Sequence, residues 1–162
     1  MVAHLAEFLQ RDRDISIPVQ AAVIAALDGL VRYRSKMQEV LTAVNVGVNH
    51  GILMTLLRSV VVESASAEST VPSSFIEAIL AFVSFIATHA AGGNMIVGAG
   101  IVPLLVQIIE NKQPSRLSVV SKTMSLLDGV LFGFSNSFNI FCNARGVEAL
   151  VDRIEVRYFG RN

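Results

Sequence analysis

A chain of 162 residues with 13 basic and 13 acidic side chains has no net charge, which excludes any broad electrostatic draw toward nucleic acid or an anionic lipid surface. Apolar residues make up 52% and charged ones only 16%, below the roughly 25% of ordinary soluble domains, so a single domain over 1–162 can bury a large core. The lone cysteine, Cys142, excludes an internal disulfide framework and fits a reducing compartment.

The opening "MVAHLAEFLQRDRD" lacks the basic start and apolar block of a signal peptide. "PVQAAVIAALDGLVRYR" puts Pro18 in a first turn and Val19, Val23, Ala26, Leu27 and Leu30 at helical spacing, which predicts a helix over 18–34. "SKMQEVLTAVNVGV" aligns Met37, Val40, Leu41 and Val44 for a second helix, 37–48. Past Asn49-His50-Gly51, "ILMTLLRSVVVE" predicts a helix over 51–62, and "SASAESTVPSS" is a polar, small-residue loop. A helix over 74–90 follows, with Ser73 or Ser74 as N-cap and Glu77 placed to close a capping box on Ser74. The glycine-rich corner "GGNMIVGAG" leads into 101–111, with Pro103 in its first turn. "KQPSR" then breaks the chain, and helices over 116–134 and 146–156 flank a short "SFNIFCNA". No strand-like alternation occurs, so the expected fold is all-α.

The segments overlay. Gly51-Ile52-Leu53 returns as Gly100-Ile101-Val102 and as Gly146-Val147-Glu148, at spacings of 49 and then 46, each ahead of a helix. "ALDGLV" at 26–31 recurs as "LLDGVL" at 126–131. A period just above 40 built only of helices is the mark of an armadillo- or HEAT-like helical repeat solenoid. About three repeats are expected, near 17–62, 73–111 and 115–157. Asp28 and Asp128 fall at matching positions, where helix packing or turn bonding is the expected role.

The same register disposes of a nucleotide site. Gly98-x-Gly100 has no strand before it, Pro103 stands where a third small residue is needed, and no lysine follows in a P-loop pattern. Gly100 is expected to end one short helix in a left-handed turn, with Pro103 opening the next, and the reading extends to Gly51 and Gly146. His4, His50 and His89 are scattered without metal-like partners and are expected to cap helices or fill polar gaps; no metal and no cofactor is expected. Cys142 has no neighbouring base and is expected to be buried among Phe138, Phe141 and Leu150. No residue is a catalytic candidate. The rival class is a small membrane-associated helical protein, since Ala78 to Ile109 carries no Asp, Glu, Lys or Arg. Glycines, His89, Asn94 and Pro103 split that run into pieces short for a span, and an all-round buried helix has the same composition, so no membrane is expected.

"VNHGILMTLLR", "GGNMIVGAGIVPLLVQIIEN" and "LLDGVLFGFSNSFNIFCNARGVEALVDRIE" together resemble the N-terminal armadillo-like region of the giant HECT-type ubiquitin ligases, the fungal Tom and animal HUWE class. The resemblance runs from about Ile17 to Glu155, and "FSNSFNIFCNARGVEALVDRI" is its most specific part. The "SASAESTVPSS" connection is short against the long insertions common in that family, and both ends of the chain resemble cut surfaces of a larger stack. The resemblance implies a non-catalytic scaffold in a cytoplasmic or nuclear ligase. It also implies protein partners or ubiquitination substrates, contacts with other parts of the parent ligase, and no nucleic acid. In such a solenoid the last helix of each repeat lines one inner surface. Arg58, Gln107, Asn111, Asp152 and Arg153 are then the polar groups expected to face outward there, with Arg58 and Arg153 dispensable for stability.

Overall fold

The computed structural model describes residues 1–10, 14–47 and 51–159. Ten α-helices are present among them: α1 Val2–Glu7, α2 Ile17–Val31, α3 Arg34–Val44, α4 Ile52–Ser64, α5 Ser73–Ala87, α6 Ala90–Gly98, α7 Ile101–Glu110, α8 Leu117–Gly133, α9 Ser137–Asn143 and α10 Gly146–Phe159. No strand occurs among the described residues, as the missing alternation predicts. The seven predicted helices are all present, and α6 is the short helix expected to end at Gly100, whereas α1 and α9 went without a predicted helix. His50 and the last residue of the predicted 37–48 helix lie outside the described residues.

The helices pack in two layers. α2, α5 and α8 lie side by side in one layer, and α4, α7 and α10 in the other, with α3, α6 and α9 between them along the chain. α1 closes over α2 and α3. Contacts within the first layer fix the directions. Ser73 Oγ donates to the Ser115 carbonyl at the start of α8, so α5 and α8 begin together. Arg32, just past α2, stacks on the Phe85 ring near the end of α5, so those two finish together. Neighbours within a layer therefore run parallel, and like ends of successive helices meet.

Burial follows from this arrangement. α7 is flanked by α4, α8, α9 and α10, and seven of its ten residues are buried, with Pro103, Gln107 and Glu110 left as a narrow exposed strip. The charge-free run from Ala78 to Ile109 is thereby spent on α5, α6 and α7 in the core. No single helix among the described residues is long and apolar enough to cross a membrane. The α6–α7 pair would pass that test jointly, but it is bent by 69°. On α2 the buried face is Gln20, Val23, Ile24, Leu27 and Val31, which leaves Val19 and Ala26 outside and rotates the expected face by about one position.

The corners are partly as expected. Gly100 is left-handed at φ 85°, ψ 35°, and Gly51 also has a positive φ, 94°. Gly146 does not. There Arg145 takes the left-handed turn at φ 62°, and Gly146 starts α10 because a Cβ would fall inside the Phe141 ring. The capping box on α5 is absent: the helix starts at Ser73 behind Pro72, and Glu77 instead accepts from Ser118 Oγ at 2.6 Å and pairs with Lys122 at 3.3 Å on α8. Asp28 forms an exposed ion pair with Arg32 one turn on rather than packing helices, and Asp128 is exposed.

Candidate interaction surface at the helix C-termini

The last carbonyls of a helix have no intrahelical donor and need another partner. Here the next helix in the layer supplies it. At the end of α4 the Ser64 carbonyl accepts from Asn111 Nδ2 at 3.3 Å, and the Ala65 carbonyl from Gln113 Nε2 at 3.1 Å. At the end of α7 the Ile109 carbonyl accepts from Arg153 Nε and Nη2, at 3.2 and 2.6 Å, and Arg153 Nη2 also donates to the Asn111 carbonyl. Arg58 Nη2 reaches across to the Ala99 carbonyl at 2.5 Å, at the end of α6. These bonds join residues 41 to 48 positions apart. A cation beside a helix C-terminus also complements its partial negative charge.

Three of the five residues expected to face outward are drawn partly inward. Arg58, Asn111 and Arg153 do not reach freely into solvent; each is partly buried and tied to a main-chain carbonyl of a neighbouring helix. A polar residue at a helical position reads as solvated in sequence, because the carbonyls it will meet belong to a segment more than 40 residues away. Gln107 and Asp152 are exposed, as expected.

Two adjacent clefts open along this seam. The larger, of about 630 Å³, lies between α4 and α7, is lined by Val61, Val62, Gln107, Ile108 and Asn111 among others, and reaches Arg116. The smaller, of about 260 Å³, lies between α7 and α10 and holds Asp152 and Arg153. Glu110 and Lys112 border both, so four of the five residues come together on one surface while Arg58 lies at the middle of α4.

Arg116 escaped the sequence reading because "KQPSR" reads only as a break. It sits at the start of α8, is only 6% exposed, and donates from Nη1 to the Val71 carbonyl at 2.7 Å and to Ser73 Oγ at 3.1 Å. Its Nε is buried without a partner.

Cys142 is the other correction. It is exposed rather than buried, and Phe138 is exposed beside it, while Phe141 turns inward. On the seven-residue α9 adjacent residues point about 100° apart, and Phe141 takes the inward position while Cys142 is turned outward. His89 precedes α6 with Nδ1 3.3 Å from the Phe85 carbonyl, in the gap-filling role expected. Among the described residues no group of His, Cys, Asp or Glu could hold a metal ion.

Comparison with known proteins gives these surfaces a context. Residues 1–62 match the Domain of Unknown Function (DUF908). The E3 ubiquitin-protein ligase ptr1 of Schizosaccharomyces pombe is 26% identical over 155 residues, covering 96% of this chain and 5% of that protein. The E3 ubiquitin-protein ligase UPL1 of Arabidopsis thaliana is 24% identical over 138 residues, 85% of this chain and 4% of its own length. The TOM1-like E3 ubiquitin-protein ligase of Neurospora crassa is 25% identical over 142 residues, 84% of this chain and 4% of its own. The chain therefore spans only about one twentieth of the length of these relatives. No solved structure matches it. By the DUF908 match over its first 62 residues and by similarity along most of its length, the chain resembles a short part of proteins named as E3 ubiquitin-protein ligases.

Proposed function

We propose that this chain is a non-catalytic scaffold of a HECT-type ubiquitin ligase, an armadillo-like solenoid of three repeats that holds protein substrates or partners. The observation that carries the reading is the seam of cross-helix bonds at intervals of 41 to 48 residues, which ties α4, α7 and α10 into one continuous surface bordered by two clefts. In this reading the repeats are α2–α4, α5–α7 and α8–α10, each of three helices, and such units bind along an extended face rather than in a reactive pocket. Similarity to proteins named as E3 ubiquitin ligases supplies the pathway; the scaffold role rests on the geometry. The apolar stripe Val147, Val151 and Ile154, roughly half exposed along α10, offers a second surface for other parts of the longer ligase. The seam mixes Glu110, Lys112, Asp152 and Arg153, so no basic stripe for nucleic acid exists on it, and the reading places the protein in the cytoplasm or nucleus.

The test uses Gln107 and Asp152, which are exposed and free of the stitching role. The longer ligase carrying Gln107→Lys and Asp152→Lys should modify fewer substrates in a ubiquitin-remnant survey, with self-ubiquitination unchanged. An unaltered substrate profile rules the seam out.

A further inference from the structure

We propose that the cleft between α4 and α7 binds an acidic peptide segment, with Arg116 taking its carboxylate. This rests on the scaffold reading and gives the partner a chemistry. A guanidinium that is only 6% exposed is costly to bury unless a counter-charge faces it. Arg116 has none among the described residues. Glu77, on α5, is committed to Ser118 and Lys122 of α8, and Glu110 stands exposed on the cleft rim without an ion pair to it. The two bonds Arg116 does make both leave from Nη1 and end on neutral oxygens. They fix the side chain and leave Nε buried without an acceptor.

The edge that Nε shares with Nη2 is the one an arginine uses to grip a carboxylate two-pronged. The same protein shows the grip elsewhere: Arg32 donates from Nε to Asp28 Oδ2 and from Nη2 to Asp28 Oδ1, each at 3.1 Å. Around Arg116 the cleft has an apolar wall of Val61, Val62, Ile76, Ile108 and Val119, with Val62 itself 70% exposed, and Lys112 at the rim. The site therefore pairs one fixed positive charge with an apolar surface, which selects an aspartate or glutamate next to a branched aliphatic residue. Carboxylate binding would give Arg116 the counter-charge it lacks, with Nε supplying the donor that has no acceptor.

The experiment follows the Arg116 Nε–H resonance in proton–nitrogen spectra of the ¹⁵N-labelled chain. Two blocked pentapeptides are titrated, one with glutamate between leucines and one with glutamine in its place, with inorganic phosphate as a third probe. The glutamate peptide should move the Arg116 signal and bind at least about tenfold more tightly than the glutamine peptide, a difference of about 1.4 kcal/mol. Arg116→Lys, which keeps the charge but lacks the fork, should lose that preference. Val62→Glu should lose it as well, with its thermal midpoint unchanged because the position is exposed. Equal binding of the two peptides, or a preference that survives both substitutions, overturns the proposal. Phosphate shifting Arg116 as strongly as the glutamate peptide overturns it too, because the cleft is then a general anion pocket. No ubiquitin enzyme enters the titration, so its outcome is separate from the substrate survey that tests the scaffold role.

Discussion

Gln20 lies wholly inside the buried face of α2, and neither its amide nitrogen nor its amide oxygen finds a partner. Each buried unpaired polar group costs about 1–3 kcal/mol, so Gln20→Met, close in shape and without the amide, should raise the unfolding free energy by about 1–3 kcal/mol in urea titrations. A destabilised Gln20→Met would mean that the amide is satisfied. Arg153 sits at the opposite extreme, with its guanidinium closing the end of α7. Arg153→Ala strands the Ile109 and Asn111 carbonyls and should cost about 1–3 kcal/mol, readable in the same titration. That contact argues against the expectation that Arg58 and Arg153 can be reversed together without loss of stability, and the same titration decides it. Glu77 gives the pH dependence. The Ser118 hydroxyl donating to it holds its carboxyl below the ordinary carboxylate range, with Lys122 adding to the effect and partial burial opposing it. A folded pKa below the unfolded one contributes stability that is fully present above the ordinary carboxylate value and lost as pH falls through the lowered one. The thermal midpoint should therefore fall as pH drops below about 4.3, and less steeply for Glu77→Gln.

At the scale of elements, periodicity was a good guide wherever a helix buries one broad face, as in α4, α5 and α7. It failed at α6. "AAGGNMIVG" holds three glycines, each costing roughly 1 kcal/mol in a helix interior, and so reads as a corner. Packing overrides that preference: Gly92 lies against Ile86 and Gly93 against the Phe134 ring, so α6 docks where a side chain would collide. The sequence carries the glycines but not the distant aromatic that makes them necessary. Gly93→Ala should accordingly lower stability by about 1–3 kcal/mol despite its better helix propensity, and Phe134→Leu should recover part of the loss. A stabilised Gly93→Ala would show that propensity governs α6 after all. The seam was legible to the same limited depth. Helical spacing put Arg58, Asn111 and Arg153 off the apolar face, yet the carbonyls they bind are set by how α4, α7 and α10 stack. Arg116, in a segment without periodicity, left no trace at all.

Across the whole molecule, the apolar composition is explained by a layer with neighbours on both sides, and the reactive inventory reduces to one thiol. Cys142 sits exposed on α9, so its accessibility alone does not forbid chemistry. Transfer of ubiquitin through a thioester needs a thiolate, which requires a nearby cation or base to lower an ordinary thiol pKa. No histidine or lysine lies close to it in sequence, the nearest cation being Arg145, which points into solvent with Glu148 as its partner. The proposed scaffold reading therefore assigns Cys142 no role in ubiquitin transfer. The purified chain, incubated with activating enzyme, conjugating enzyme and ubiquitin, should form no adduct that a reducing agent cleaves. Cys142→Ser should leave both that result and the unfolding free energy within about 0.5 kcal/mol of the parent, as for other exposed substitutions. A reducible ubiquitin adduct on Cys142, lost in the serine variant, would transfer the catalytic role to α9 and end the scaffold reading.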